Sequence, residues 1–180
     1  QGYGDLACHG NPVIKTPNLD KLYSESTVLT DYHVAPTCSP TRAALLSGHW
    51  TNRTGVWHTI MGRSMIRENE VTLGQHFQKD YATAMFGKWH LGAKAPYLPT
   101  SYGFDSYFGL PYSNDMWPVG YDGKPITDTA DRKYKYPPLF LLEGNDPVIP
   151  IRTLEDQAQL TQVYTQRAVQ FIERHKETPF

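Results

Sequence analysis

After Thr153, the apolar residues Leu160, Val163, Tyr164, Ala168, Phe171 and Ile172 recur at helical spacing. That spacing places them on one face of a helix. Thr153 opens it, and Asp156 three positions on completes a capping-box pair. A one-sided helix of this length needs a layer to lie against. "YATAMFG", residues 81–87, reads as a short strand ending at Gly87. "STVLTDYHVA", residues 26–35, is rich in β-branched and aromatic residues and reads as another. "TPNLDKLYSES", "SPTRAALLSG" and "VTLGQHFQ" supply further short helices, the second stopped by Gly48. Strands alternating with helices predict an α/β domain, with a mainly parallel or mixed sheet flanked by helices.

Residues 93–152 follow no clear period and are rich in Pro, Gly, Tyr and Asp. A long irregular stretch in a compact domain predicts binding loops. The chain has 180 residues, enough for one domain with a real core, and 39% hydrophobic content excludes general disorder. Lys and Arg number 17 against 18 Asp and Glu, which gives no electrostatic case for nucleic acid. No apolar run is long enough for a membrane span. The chain begins at Gln1 and stops at Pro179-Phe180 without a closing turn, and reads as an internal piece of a longer protein.

Cys8 and Cys38 are the two cysteines. One disulfide between them is conceivable, but two cysteines make no framework, and neither has the close partner of a structural zinc site. Cys38 stands in "CSPTR", with Pro40 early in the following helix and Arg42 one turn on. Free N–H groups and the positive end of the helix dipole gather there, and Arg42 can return toward Cys38. The site is suited to an anion. A lone cysteine beside an apolar helix is more often a packed thiol. A thiolate phosphatase would need a wider gap from Cys to Arg, and Pro40 removes a donor from such a loop. A papain-like thiol would need an oriented histidine. His90 is available for that, but the sequence offers no orienter.

The stretch "CSPTR" followed by "AALLSG" resembles the signature of the type I, formylglycine-dependent sulfatases. "GYGDLACHGNP", "TPNLDKL", "NRTGVW" and "GKWHLG" resemble further family motifs, in the family's order. "YGFDSYFGLPYSNDMWP" is similar to the branch containing arylsulfatase A and N-acetylgalactosamine-6-sulfatase. The resemblance covers essentially all of residues 1–180. It implies an alkaline-phosphatase-like fold, here the N-terminal portion of a single catalytic domain and incomplete at both ends.

The same resemblance implies roles for single residues. Cys38 would be the formylglycine precursor and nucleophile, and the one metal ligand within this chain. Arg42 would stabilise the modified residue. Lys88 would bind sulfate oxygens, and His90 would hydrogen-bond the formylglycine hydroxyls. Lys88 and His90 are two apart, so an extended chain would turn both to one face, with Trp89 between them in the packing. Ser113 matches a sulfate-contacting position, although Asn114 departs from the histidine common next in that branch. Calcium is the implied cation, with its other ligands outside this chain, so these residues by themselves are expected to be inactive. The implied partners are a sulfate ester, among them sulfated glycans, and a formylglycine-generating or equivalent sulfatase-maturating enzyme. The implied location is extracytoplasmic: periplasmic, secreted or lysosomal.

Two other readings compete. A phosphatase or phosphodiesterase on the same fold would carry an unmodified Ser or Thr, which Cys38 argues against. A non-catalytic carbohydrate-binding relative would stack sugar on Tyr112, Trp117 and Tyr121. The remaining histidines, His9, His33, His49, His58, His76 and His175, have no ligand-like spacing and read as structural. The Asn52-Arg53-Thr54 sequon reads as coincidence within a family motif.

Overall fold

The computed structural model describes residues 2–60 and 62–180. Two compact units divide the chain, one up to Val34 and one from Ala35 to Phe180. Gln1 and Met61 lie outside the described residues.

In the first unit, two single-turn 3-10 segments, Tyr3–Asp5 and Ala7–His9, precede helix α1, Pro17–Glu25. Pro17 is its first residue, where a missing N–H costs nothing. The expected strand at 26–35 does not form. Val28, Leu29, Tyr32 and Val34 are all exposed. Strand propensity reports fit to a half-buried pleated surface, and among the described residues no strand pairs with this stretch.

The second unit carries the remaining elements. Helices α2, Cys38–Ser47, α3, Thr51–Thr54, and α4, Leu73–Phe77, lead into strand β1, Ala84–Phe86. Strands β2, Ser106–Gly109, β3, Leu139–Glu143, and β4, Asp146–Ile151, follow, and then helices α5, Leu154–Ala158, and α6, Leu160–His175. The sheet is mixed, in the order β1-β2-β3-β4. β1 and β2 are parallel, with Met85 opposite Tyr107. β2–β3 and β3–β4 are antiparallel.

Three of the four strands thus lie in the stretch expected to be mostly loops. Pro147 and Pro150 obscured β4, because proline cannot donate to a ladder. β4 tolerates them as an edge strand. Gly144, at φ 60°, and Asn145 close the β3–β4 hairpin in two residues. Between β2 and β3 the chain remains largely irregular, as expected.

Thr153 caps the helical stretch as read from the sequence, its hydroxyl accepting from Asp156 N–H and the Asp156 carboxylate from Thr153 N–H, but the expected single helix is two, α5 and α6, separated at Gln159. α6 then lays Leu160, Val163 and Tyr164 against the core around Phe108, Leu139 and Leu141. Ile172, assigned to that face, is 46% exposed. The second core gathers Ala43, Val56, Ile66, Trp89, Leu91, Leu98, Tyr102, Tyr107 and Leu142. This core joins α2 to the segment after β1, and those are the two segments that carry the expected site residues.

Candidate active site

Helix α2 presents Cys38 as its first residue, after an extended Thr37. Ser39, Pro40 and Ala43 are buried and anchor one face. Gly48 closes the helix at φ 69°, donating its N–H to Ala44 O at 2.9 Å. That anchoring leaves Cys38 and Arg42, one turn apart, half-buried beside it.

The facing segment is held by backbone pairing that continues past β1. Gly87 N–H donates to Phe108 O at 3.0 Å, and Leu110 N–H donates back to Gly87 O at 3.2 Å. The two chains approach so closely that a Cβ on Gly109 would lie 1.8 Å from Gly87 O, so only glycine fits there. Trp89 N–H then bonds Leu110 O at 2.9 Å, and His90 N–H bonds Pro111 O at 3.1 Å. Trp89 is fully buried, as expected, with its indole N–H donating to Tyr97 O at 2.7 Å. His90 departs from the extended backbone assumed for it, with φ at 61°. A left-handed non-glycine residue is uncommon, and such conformations cluster at functional sites.

These segments meet in one cluster. Cys38 Sγ lies 3.3 Å from His90 Nδ1. His90 Nε2 lies 3.0 Å from Thr59 O. A carbonyl only accepts, so Nε2 carries the proton and Nδ1 offers its lone pair to residue 38. His90 is 3% exposed. Burial, and then the neighbouring Lys88 charge, pull its pKa down to about 4, so the ring is neutral near pH 7. Arg42 Nη1 donates to Lys88 O at 2.5 Å, tying the helix to the facing segment. Burial holds its guanidinium below the usual value, while Cys38 and Tyr107 act in the opposite direction. Lys88 Nζ lies 3.5 Å from Ser113 Oγ, at the long limit of a hydrogen bond.

Cys38, Arg42, Lys88, His90 and Ser113 are therefore linked by direct contacts. The histidine orienter that the sequence did not offer is the Thr59 carbonyl, a backbone group with no side-chain signature. Cys8 and Cys38 are both free thiols. Asn114 exchanges hydrogen bonds with Gln157 of α5, its amide donating at 2.8 Å and its carbonyl accepting at 2.8 Å. Of the proposed sugar-stacking trio, Trp117 is 3% exposed inside the core and offers no open face. Tyr112 OH donates to Pro138 O at 2.9 Å, and Tyr121 lies under the Lys133 ammonium at 4.5 Å.

A hard cation such as calcium takes six to eight oxygen ligands. Among the described residues no three His, Cys, Asp or Glu side chains gather in a metal-binding group. The neighbours of Cys38 are an imidazole nitrogen and a guanidinium. These residues do not by themselves form a calcium site. A hydroxyl in place of the Cys38 thiol fits better, because His90 Nδ1 already faces it as an acceptor.

The family model for sulfatases matches residues 1–180. The chain is 39% identical to arylsulfatase G of Mus musculus, over 96% of this chain and 36% of that protein. It is 34% identical to N-acetylgalactosamine-6-sulfatase of Homo sapiens, over 99% of this chain and 35% of that protein. The crystal structure of PsFucS1 sulfatase from Pseudoalteromonas sp. superposes with a TM-score of 0.81 at 29% identity, covering 99% of this chain and 40% of that one. The chain thus spans about a third of the length of the curated relatives it matches.

Proposed function

The chain belongs to the sulfatase family, and on that premise we propose that the protein hydrolyses sulfate monoesters, of aryl alcohols or of sulfated sugars, with Cys38 oxidised to formylglycine as the nucleophile. The observation that carries this reading is the contact between Cys38 Sγ and the lone-pair face of a neutral His90. It sits beside the guanidinium of Arg42 and joins Lys88 through the Arg42 hydrogen bond to the Lys88 carbonyl.

Sulfate monoesters resist attack because the incoming group meets an anionic centre. Catalysis needs fixed positive charge and a nucleophile held in line. One hydroxyl of a hydrated aldehyde at residue 38 would attack sulfur and displace the alcohol, and loss of the proton from the second would expel sulfate and restore the aldehyde, a second step that a thiol cannot supply. His90 Nδ1 accepts the hydrogen bond of a hydroxyl at residue 38 and holds it in one orientation. The two cationic side chains answer the charge of the sulfate group, Arg42 at residue 38 and Lys88, with Ser113, at the sulfate oxygens. Calcium belongs to this reading, with most of its ligands supplied from outside residues 1–180. A sulfatase-maturating enzyme is the required partner, and an extracytoplasmic compartment the expected location. Among the described residues no helix is long and apolar enough to cross a membrane. A sulfated glycan is the favoured substrate class, since relatives include N-acetylgalactosamine-6-sulfatase and a structural neighbour, Ps i-CgsB, is in complex with k-i-k-neocarrahexaose.

The test uses the full-length protein, made with a maturating enzyme and supplied with calcium. It is assayed on a chromogenic aryl sulfate and on the matching aryl phosphate. Turnover of the sulfate with little of the phosphate is the expected result. Turnover of the phosphate alone would move the protein to the phosphatase reading.

A further inference from the structure

His58 reads as structural in the sequence, and the fold gives it a more specific position. It lies beside Trp57, whose N–H, like that of His58, donates to Arg63 O, at 3.1 and 3.2 Å respectively. Arg63 N–H returns a bond to Ile60 O at 3.0 Å. His58 Nδ1 accepts from two successive backbone groups, Thr59 N–H at 2.9 Å and Ile60 N–H at 3.3 Å. The Thr59 carbonyl between these amides is the one that lies 3.0 Å from His90 Nε2. His90 Nδ1 in turn faces Cys38 Sγ at 3.3 Å.

We propose that His58 is a positioning residue: its Nδ1 pins the Thr59–Ile60 backbone, so that the Thr59 carbonyl fixes His90 in the tautomer whose Nδ1 lone pair faces residue 38. The inference rests on the proposed sulfatase reading for its catalytic consequence, but its structural content stands apart from that reading.

A backbone carbonyl selects the Nε2–H tautomer only while it is held within hydrogen-bond distance. Thr59 and Ile60 lie in a turn without regular ladder bonds, so their amides need a local acceptor. His58 Nδ1 is that acceptor for both. Without it, the peptide between Thr59 and Ile60 can rotate, and its carbonyl leaves His90. The imidazole is then free to take the Nδ1–H tautomer. That tautomer presents a donor to a hydroxyl at residue 38 where an acceptor is needed.

The experiment uses full-length protein with ¹⁵N-labelled histidine, in wild-type, His58→Phe and His58→Asn forms. Phenylalanine keeps a ring of similar size and loses the nitrogen acceptor. Asparagine restores a short-armed acceptor near the Nδ1 position. The His90 resonances are assigned by their loss in His90→Gln. Wild type and His58→Asn are expected to show His90 protonated at Nε2, and His58→Phe to show a mixture of tautomers. In the aryl sulfate assay, kcat of His58→Phe should fall about tenfold, the lower end for losing a supporting hydrogen-bond partner, with KM little changed. His58→Asn should recover most of that loss. Thermal melting accompanies each variant, and the His90 tautomer in His58→Asn remains decisive should His58→Phe fail to fold. A pure Nε2–H tautomer in a folded His58→Phe variant would overturn the proposal. So would a folded His58→Asn variant with mixed tautomers. A wild-type enzyme inactive on sulfate esters, with the tautomers responding as described, would overturn the sulfatase reading and leave the positioning role intact.

Discussion

The two cysteines of this chain share a side chain and little else. Cys8 is exposed in the 3-10 turn Ala7–His9 of the first unit. Its N–H donates to Asp20 Oδ1 at 3.0 Å. Partial desolvation, and then the Asp20 carboxylate, push its thiol above the ordinary value, so a negative group stands beside it. Cys38 opens a ten-residue helix, half-buried, against a neutral imidazole and beside a guanidinium. One thiol has a carboxylate beside it, and the other has an imidazole nitrogen at 3.3 Å and a guanidinium one helical turn on. The chemistry of a cysteine here follows from which element it starts and what faces it.

Exchange of each cysteine for alanine tests this contrast hardest. Cys38→Ala in the full-length protein should cut kcat by roughly 10⁴-fold or more, the scale of removing a nucleophile, with an unchanged fold. Cys8→Ala, which removes an exposed thiol that the proposed chemistry does not use, should leave turnover within a factor of about two. Comparable losses from both would erase the distinction between the two regions. Next in size are the residues facing Cys38. Lys88→Ala and His90→Ala should each lower kcat/KM by roughly 10²-fold, the scale of one lost transition-state contact. Near-wild-type rates for both would remove them from the site.

The smallest effect concerns stability. The folded-state pKa of His90, about 4, lies below its ordinary 6.5. The unfolded chain therefore takes up this proton more readily than the folded one. The contribution of this neutral histidine is complete above about 6.5, declines as pH falls and is gone below about 4. His90→Gln should flatten the denaturation midpoint across that window relative to wild type. An equally steep pH dependence in the variant would mean that another group titrates there.

Much of this site was legible in the sequence because its parts lie in short local patterns. Cys38, Pro40 and Arg42 declare a helix start through their spacing, and Gly48 its end. Lys88 and His90 stand in one motif directly after a recognisable strand. Thr153 and Asp156 announced α5 through a local capping exchange. What stayed hidden depends on distant partners. β2, β3 and β4 became strands by pairing with one another, with β4 carrying two prolines that local rules count against it. Residues 26–35 have strand-like side chains but, among the described residues, no strand pairs with them. The left-handed φ of His90 follows from the backbone bonds to Leu110 and Pro111, and the orienting Thr59 carbonyl has no identity that a sequence can display.

The state of residue 38 in active protein decides between a formylglycine and a thiol. Trypsin releases Leu22–Arg42 with Cys38 inside it, and a separate peptide ending at Lys15 with Cys8. Mass spectrometry of full-length enzyme, active on an aryl sulfate, should find formylglycine at residue 38 and an unmodified thiol at residue 8. Full activity with an intact thiol at Cys38 would contradict the account.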